Sequence, residues 1–417
     1  MPMPMPMPMP MPTGELFHSD PFEPTPAAAQ ARLASVQPAA YARTRNQLDG
    51  AVTRLSPYLT HGFLSVQDVL AALHRRGPLP VQHKLVFELA WREYFHHVWH
   101  HLGDDIFESL HDGVLPDSAY AHELPADIRQ ARTGVPVIDE AVRTLYATGY
   151  LHNHARMWLA SYVVHLRKVH WRSGADWLYG HLLDGDLASN HLSWQWVAGT
   201  GSHKPYLFNA ENVARYAPPA WHSTGTVVDR SYEELDRIAR QTRPLAARPA
   251  GPGVEEPALL AAPPPGLFIA PDAQTVQSVL GRTLHCVHPW SLAATDIGSP
   301  ANGLTLGIAS TPFHARWPWS PARWRFVGTR MQAVCDLMWA GPTEALRAAW
   351  AGAAAVHGVQ DRHGPGPASD VPPNPREHWL ASPRCFEWPA QRCHSFSQFW
   401  TRVSRGVSHL DAWTERH

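Results

Sequence analysis

DGDLASNHLSWQWVAGTG, residues 184–201, sets two carboxylates, Asp184 and Asp186, around a glycine, and follows them at helical spacing with Asn190 and Trp194. At about 100° per residue, Trp196 lies roughly 200° around the helix from Trp194. The two indoles are therefore expected to face different partners, one a substrate cavity and the other a buried chain of aromatics with Trp171 as a neighbour. Standing alone, the stretch also fits a wide apolar helix carrying two core tryptophans. Its weight comes from two further segments built on the same plan.

The segment FELAWREYF (87–95) puts Glu88, Trp91, Arg92 and Phe95 on one helix face, at spacings of three, four and seven. An acid and a large aromatic thus point into one space. A carboxyl beside a flat ring suits the polar edge of a base stacked on that ring, the pairing used for bases extruded from a duplex. The plainer reading is an amphipathic helix with a glutamate on its rim. In GYLHNHARMWLASYVV (149–164), Asn153, Arg156, Met157 and Ala160 share a face in the same way. If buried, that polar pair needs a polar partner such as the carbonyl-rich edge of a cofactor; otherwise it is surface.

With 417 residues the chain suits two cores. Charged residues make up 17% and the net charge is -1, so no global basic field marks nucleic-acid binding and any DNA contact must be local. Cys286, Cys335, Cys385 and Cys393 show no C-x-x-C spacing, which excludes a zinc ribbon and a disulfide scaffold and fits a reducing cytoplasm. No leader pattern and no run of about 20 apolar residues is present, so a soluble, unexported protein without a membrane partner is expected. The 18 tryptophans hint at stacking or electron relay, although most are expected to be core.

Along the chain, a Met-Pro repeat opens a tail (1–20) that cannot form a helix or a ladder. Helical periodicity then dominates an all-α unit, 21–221. Ala, Pro, Arg and Gly fill 222–265, ending in AAPPPG, which reads as linker. The rest, 266–417, alternates β-like runs, LFIA (267–270), LHCVHPW (284–290) and LTLGIAS (304–310), with a helical TVQSVL, and reads as a smaller α/β domain. There a helix is predicted after Trp319, capped by Ser320 with Pro321 at its first position, and another from Thr343 to His357, ended by Gly358. The fold class is thus mixed, an all-α domain followed by an α/β domain.

Two features are read as structural. His96, His97, His100 and His101 form i, i+4 pairs, but no third ligand sits at a suitable spacing, so a surface helix and no metal are expected. HARWPWSPARWRF (314–326) interleaves Arg with Trp as nucleic-acid surfaces do, and equally as core tryptophans with capping arginines do.

Together, TRLSPYLTHGFLS (53–65), ELAWREYF (88–95), TGVPVIDEAVRTLYATGYLHNHARM (133–157) and DGDLASNHLSWQWVAGTG (184–201) resemble, in order, the FAD-binding helical domain of photolyases and cryptochromes. The likeness covers about residues 40–216. It implies that Tyr41, Thr53, Arg54, Leu55 and Ser56 hold the FAD phosphates and ribose, and that Asp184, Gly185 and Asp186 lie against the flavin and ribitol. Arg156 and Asp184 would pair beside the ring, with Asn190 at its N5. Glu88, Trp91, Asn153, Met157 and Trp196 would receive a flipped pyrimidine dimer, with Asn190 completing the catalytic set. Trp194 and Trp171 would be the inner and middle members of an electron-transfer chain, and Arg45, Arg92, His154 and Lys204 would meet DNA.

The resemblance implies a monomeric flavoprotein that splits cyclobutane pyrimidine dimers by electron transfer from reduced FAD, a carbon-carbon lyase. Its alternatives are a cryptochrome-type photoreceptor and a (6-4) photolyase, the latter needing a histidine such as His61 or His154 near the flavin. Several positions depart from the family pattern. About 40 residues precede the flavin domain, so no N-terminal antenna domain or antenna chromophore is expected. Ser118 stands where the outer relay tryptophan falls, which leaves Tyr120 or another aromatic as a substitute, or else poor photoreduction. Leu85 replaces a tryptophan, and His154 replaces an arginine near DNA phosphate. SHKPYLFNAENVARYAP (202–218) replaces the usual pattern after Gly201.

Overall fold

The periodic segments form helices with chemically defined ends. Lys84–Leu102 stops at Gly103 (φ 56°), Pro136–Thr148 begins with its proline and stops at Gly149 (φ 65°), and Leu187–Ala198 runs from the Asp186 cap to Gly199 (φ 83°). Asn153–Ser161 widens into a π turn over Tyr162–Leu166, and Trp171–His181 precedes the Asp-Gly-Asp turn. The computed structural model describes residues 22–246, 249–293, 303–363 and 374–414, so the Met-Pro tail lies outside the described residues.

The segment expected as linker is structured. Tyr232–Ala239 is a helix with a capping box between Ser231 and Glu234, and Leu235, Ile238 and Ala239 form its buried stripe. Farther on, Glu256 pairs with Arg129 and accepts the Trp177 indole N–H at 3.0 Å. Composition suggested linker, but apolar residues three and four apart suffice for an anchored turn of helix.

Beyond it lies a five-stranded parallel sheet, β1 (Thr283–Val287), β2 (Gly303–Ser310), β3 (Leu337–Gly341), β4 (Ala355–Val359) and β5 (Glu377–Leu380), in the order β3-β2-β1-β4-β5. Thr283 is in register with Gly303 on one side and Ala355 on the other. Strand β2 is buried along Leu304–Ala309, as a strand covered on both faces must be. The LFIA run contributes two isolated bridges, Ile269 to Trp339 at the sheet edge and Phe268 to Pro265, and no strand. The helix expected to reach His357 stops at Ala349, because Val356 enters the core under the sheet and its backbone pairs with β1. Pro321–Val334 begins as predicted, behind Ser320.

The described residues pack into three cores rather than two. One lies under the sheet and one inside the helical unit. The third is shared: Tyr58 and Phe63 meet Phe326 at 6.0 and 5.6 Å, and Phe87 meets Trp400 at 4.9 Å. The α/β unit is therefore docked on the helical unit. Trp317, Trp319 and Trp324 are buried in this shared core, so the tryptophans of the Arg/Trp-rich segment face inward and offer no stacking surface, while Arg316 and Arg325 are exposed. All four cysteines are free, and no described helix is long and apolar enough to cross a membrane.

Candidate active site

Three helix faces converge on a cavity of about 610 Å³, within the range of small-molecule sites. Lys84–Leu102 contributes Glu88, Trp91, Arg92 and Phe95; Asn153–Ser161 contributes Asn153, Arg156, Met157 and Ala160; Leu187–Ala198 contributes Asn190, Trp194 and Trp196. Asp184 and Asp186 join from the turn before that helix, and Tyr41, Arg45, Thr53, Arg54, Ser56 and His154 are also among the lining residues. The two indoles of the last helix, expected to face different partners, border the same space. Trp194 is 2% exposed, with its ring where a Cβ on Gly174 would collide, while Trp196 is 39% exposed.

Charge is concentrated at the Asp-Gly-Asp turn. Arg156 Nη2 donates to both oxygens of Asp184, at 2.9 and 2.7 Å, and its Nε donates to the Leu151 carbonyl. Asp186 Oδ1 caps the following helix at the Ser189 amide, 2.8 Å, while its Oδ2 meets His96 Nε2 at 2.8 Å and Arg92 Nη2 at 3.3 Å. Burial alone would raise the Asp186 carboxyl; Arg92 and His96 outweigh it and hold the group well below the usual carboxylate range. Glu88 pairs with Arg45. Its side chain is 37% exposed, in the lining, yet surrounding protein still pushes its carboxyl up against the pull of Arg45. Asn190 Nδ2 is committed to the Ala175 carbonyl at 2.8 Å.

Other candidate residues lie elsewhere. Leu55 is core, Lys204 is exposed outside the lining, and Gly185 sits behind the turn against Arg323. Trp171 is buried outside the cavity, donating its indole N–H to Ser109 at 3.0 Å; His170 lies 5.7 Å from its ring and Tyr120 6.2 Å beyond. His61 is buried away from the lining, held by the carbonyls of Pro289 and Leu183. Of the histidines read as surface, His97 is buried and accepts the Cys393 amide and His96, half-buried, serves Asp186, while His100 is exposed and meets Arg362. No group of three or more metal-ligating side chains able to hold an ion occurs among the described residues. The His96–Asp186 contact spans 90 positions, and no local pattern signals it.

The lining fits a polar, elongated cofactor. Ser189 Oγ and His152 Nε2 are buried there without a partner among the described residues, a costly state that an occupant would relieve. Arg54 holds a positive φ of 51° beside Thr53 and Ser56, hydroxyl and guanidinium groups suited to phosphate.

Residues 85–242 match the family described as the FAD binding domain of DNA photolyase. A deoxyribodipyrimidine photo-lyase of Streptomyces griseus is 37% identical over 155 residues, 36% of this chain and 33% of its own. A cryptochrome DASH of Idiomarina loihiensis is 35% identical, covering 53% and 52%. A deoxyribodipyrimidine photo-lyase of Thermus thermophilus is 33% identical, covering 56% and 61%. A solved cryptochrome of Synechocystis aligns with a TM-score of 0.40 at 30% identity, over 46% of this chain and 43% of its own. The chain thus spans between a third and three fifths of the length of these curated relatives.

Proposed function

Because this chain belongs to the photolyase/cryptochrome family through its FAD-binding domain, we propose that it splits cyclobutane pyrimidine dimers in DNA, using light absorbed by that FAD. The observation that carries this reading is the meeting, in one cavity, of the Arg156–Asp184 pair and Asn190 with the acid-and-indole face Glu88/Trp91 and the open indole of Trp196.

Bound in its reduced form, FAD supplies the light-driven electron donor. The chain's own residues do the rest. Arg156, Asp184 and Asn190 hold the ring, and Thr53, Arg54 and Ser56 hold the phosphates. Trp91 and Trp196 give a flipped dimer flat apolar surfaces, where stacking contributes about 1–3 kcal/mol per base. Arg45 and, in its protonated form, the Glu88 carboxyl beside it offer hydrogen bonds to the pyrimidine carbonyls as charge develops on the dimer, and burial favours that form of Glu88. Arg45, Arg92 and His154 line the cavity as positive or hydrogen-bonding groups for the flanking phosphates. The electron returns from the split dimer, so Trp194, Trp171 and, through His170, Tyr120 serve as the relay that reduces oxidised flavin beforehand.

The exposure of Trp196 favours repair over a purely signalling photoreceptor, which has no use for an open stacking surface. His61 lies outside the lining, so of the two histidines a (6-4) reading could use, only His154 borders the cavity. The deciding experiment illuminates the reduced, FAD-loaded protein with oligonucleotides carrying either lesion. Repair of the cyclobutane dimer, lost in Glu88→Ala and Trp91→Ala with FAD retained, is expected. Intact dimers with the wild-type protein would remove the reading.

A further inference from the structure

We propose that Arg323 and His363, both contributed by the C-terminal α/β unit, are positioning residues that hold the Asp184-Gly185-Asp186 turn of the cofactor cavity from behind. The inference rests on the turn being part of the FAD site, and it assigns the second unit a role in that site.

Arg323 lies on the helix Pro321–Val334 and is fully buried. Its Nη2 donates to the Gly185 carbonyl at 2.6 Å and its Nη1 to the Tyr179 carbonyl at 3.5 Å. The guanidinium lies 3.8 Å over the Trp319 ring and 4.9 Å over the Tyr179 ring. A Cβ at Gly185 would collide with Arg323 Nη1 and the Tyr179 carbonyl, so glycine is required there by this approach and not by a turn angle. No carboxylate pairs directly with Arg323 among the described residues, and its Nε has no partner there. Leaving a cation so buried is costly, and for stability alone an apolar chain of the same length would serve better. What the guanidinium supplies is directional: donors to two carbonyls of the turn and its approach, and positive charge behind two carboxylates. Burial depresses its basicity, and Asp184 and Asp186 are among the groups that sustain it.

His363 holds the other end. It is 2% exposed, stacked on Trp290 at 5.1 Å, and its Nε2 accepts the Leu187 amide at 3.2 Å. The proton therefore sits on Nδ1, which donates to Asp361 Oδ1 at 2.7 Å. Leu187 begins the helix that carries Asn190 and Trp194, and its amide is one of the orphan donors of a helix start. Here the orphan is satisfied from 176 positions away. His363 Nε2 is also 4.0 Å from Asp186 Oδ2. Two contacts from one unit thus bracket the turn through which the other presents its carboxylates.

The test uses the full chain stripped of FAD and titrated with FAD, followed by flavin fluorescence, with far-UV circular dichroism and thermal unfolding of the apoprotein as folding controls. Arg323→Met and His363→Leu are each expected to weaken FAD binding about tenfold or more, the effect of losing a supporting hydrogen bond to a binding element. His363→Gln, which can still accept the Leu187 amide, is expected to restore most of the affinity, a rescue that a packing role would not give. Wild-type FAD affinity and flavin spectrum in folded Arg323→Met and His363→Leu would overturn the proposal. If Arg323→Met does not fold, the His363 pair decides alone. Wild-type protein that binds FAD but leaves dimers intact removes the repair function without touching this comparison.

Discussion

The indole of Trp91 lies flat on the ring of Phe396, with centroids 4.1 Å apart and planes 9° apart. Phe396 opens the helix Phe396–Val403 near the C-terminus, and Trp400 on the same helix stacks behind it at 6.1 Å. One face of the proposed dimer-stacking indole is thereby locked, which spares the entropy of ordering it when a base arrives.

Phe396→Ala should therefore act on both stability and substrate. A large-to-small change in a buried ring costs about 3 kcal/mol, read as a lower urea midpoint. Loosened Trp91 should raise KM for dimer-bearing DNA more than it lowers kcat, with flavin content unchanged. An unchanged KM would show that Trp91 does not meet the substrate.

Asp184→Asn removes the charge and one acceptor of a carboxylate whose side chain is 2% exposed and leaves Arg156 without its counter-ion. Purified protein should carry markedly less flavin, and the apoprotein should unfold with about 3 kcal/mol less stability, the usual result of breaking a buried pair. Absorbance at the flavin bands and chemical unfolding measure the two effects separately.

Acidification should destabilise the chain in two stages. Burial holds His165 and His152 down at about 4, against about 6.5 in an unfolded chain. Between those values the unfolded chain binds more protons, so stability rises with pH there and is lost as pH falls. Asp186 acts lower down: its stabilisation is complete above about pH 3.9 and disappears as pH drops through its depressed folded value. Urea unfolding at pH 7 and pH 5 should differ in midpoint, and His165→Gln should reduce that difference. A midpoint independent of pH over this range would contradict the burial of these rings.

Tyr120→Phe tests the relay. Photoreduction of oxidised flavin should slow several-fold, while repair by chemically pre-reduced protein stays at wild-type level. Transient absorption at the tyrosyl radical band is the direct check. An unaltered photoreduction rate would send the electron by another aromatic route.

Much of the cavity was legible in the sequence, because its residues obey helical arithmetic. Glu88, Trp91, Arg92 and Phe95, like Asn153, Arg156, Met157 and Ala160, meet the cavity because spacings of three, four and seven repeat on one face. Trp194 and Trp196 show the limit of that arithmetic. Their angular separation was right, yet a cavity that wraps around a helix admits both. The linker and the long helix after Thr343 failed differently, since a few apolar residues in a Pro-rich setting, or a five-residue strand, carry too little local pattern to reveal their partners.

By itself, then, the sequence determined the helical unit, its three inward faces, the Asp-Gly-Asp turn and the family likeness, all consequences of short-range periodicity and ordered motifs. Only the tertiary structure decided that His96 serves Asp186, that Phe396 backs Trp91, and that Arg323 and His363 reach the turn from the second unit. Those contacts join positions 90 to 305 residues apart. Chain periodicity has no reach over such distances, and the packing of one unit on another alone creates them.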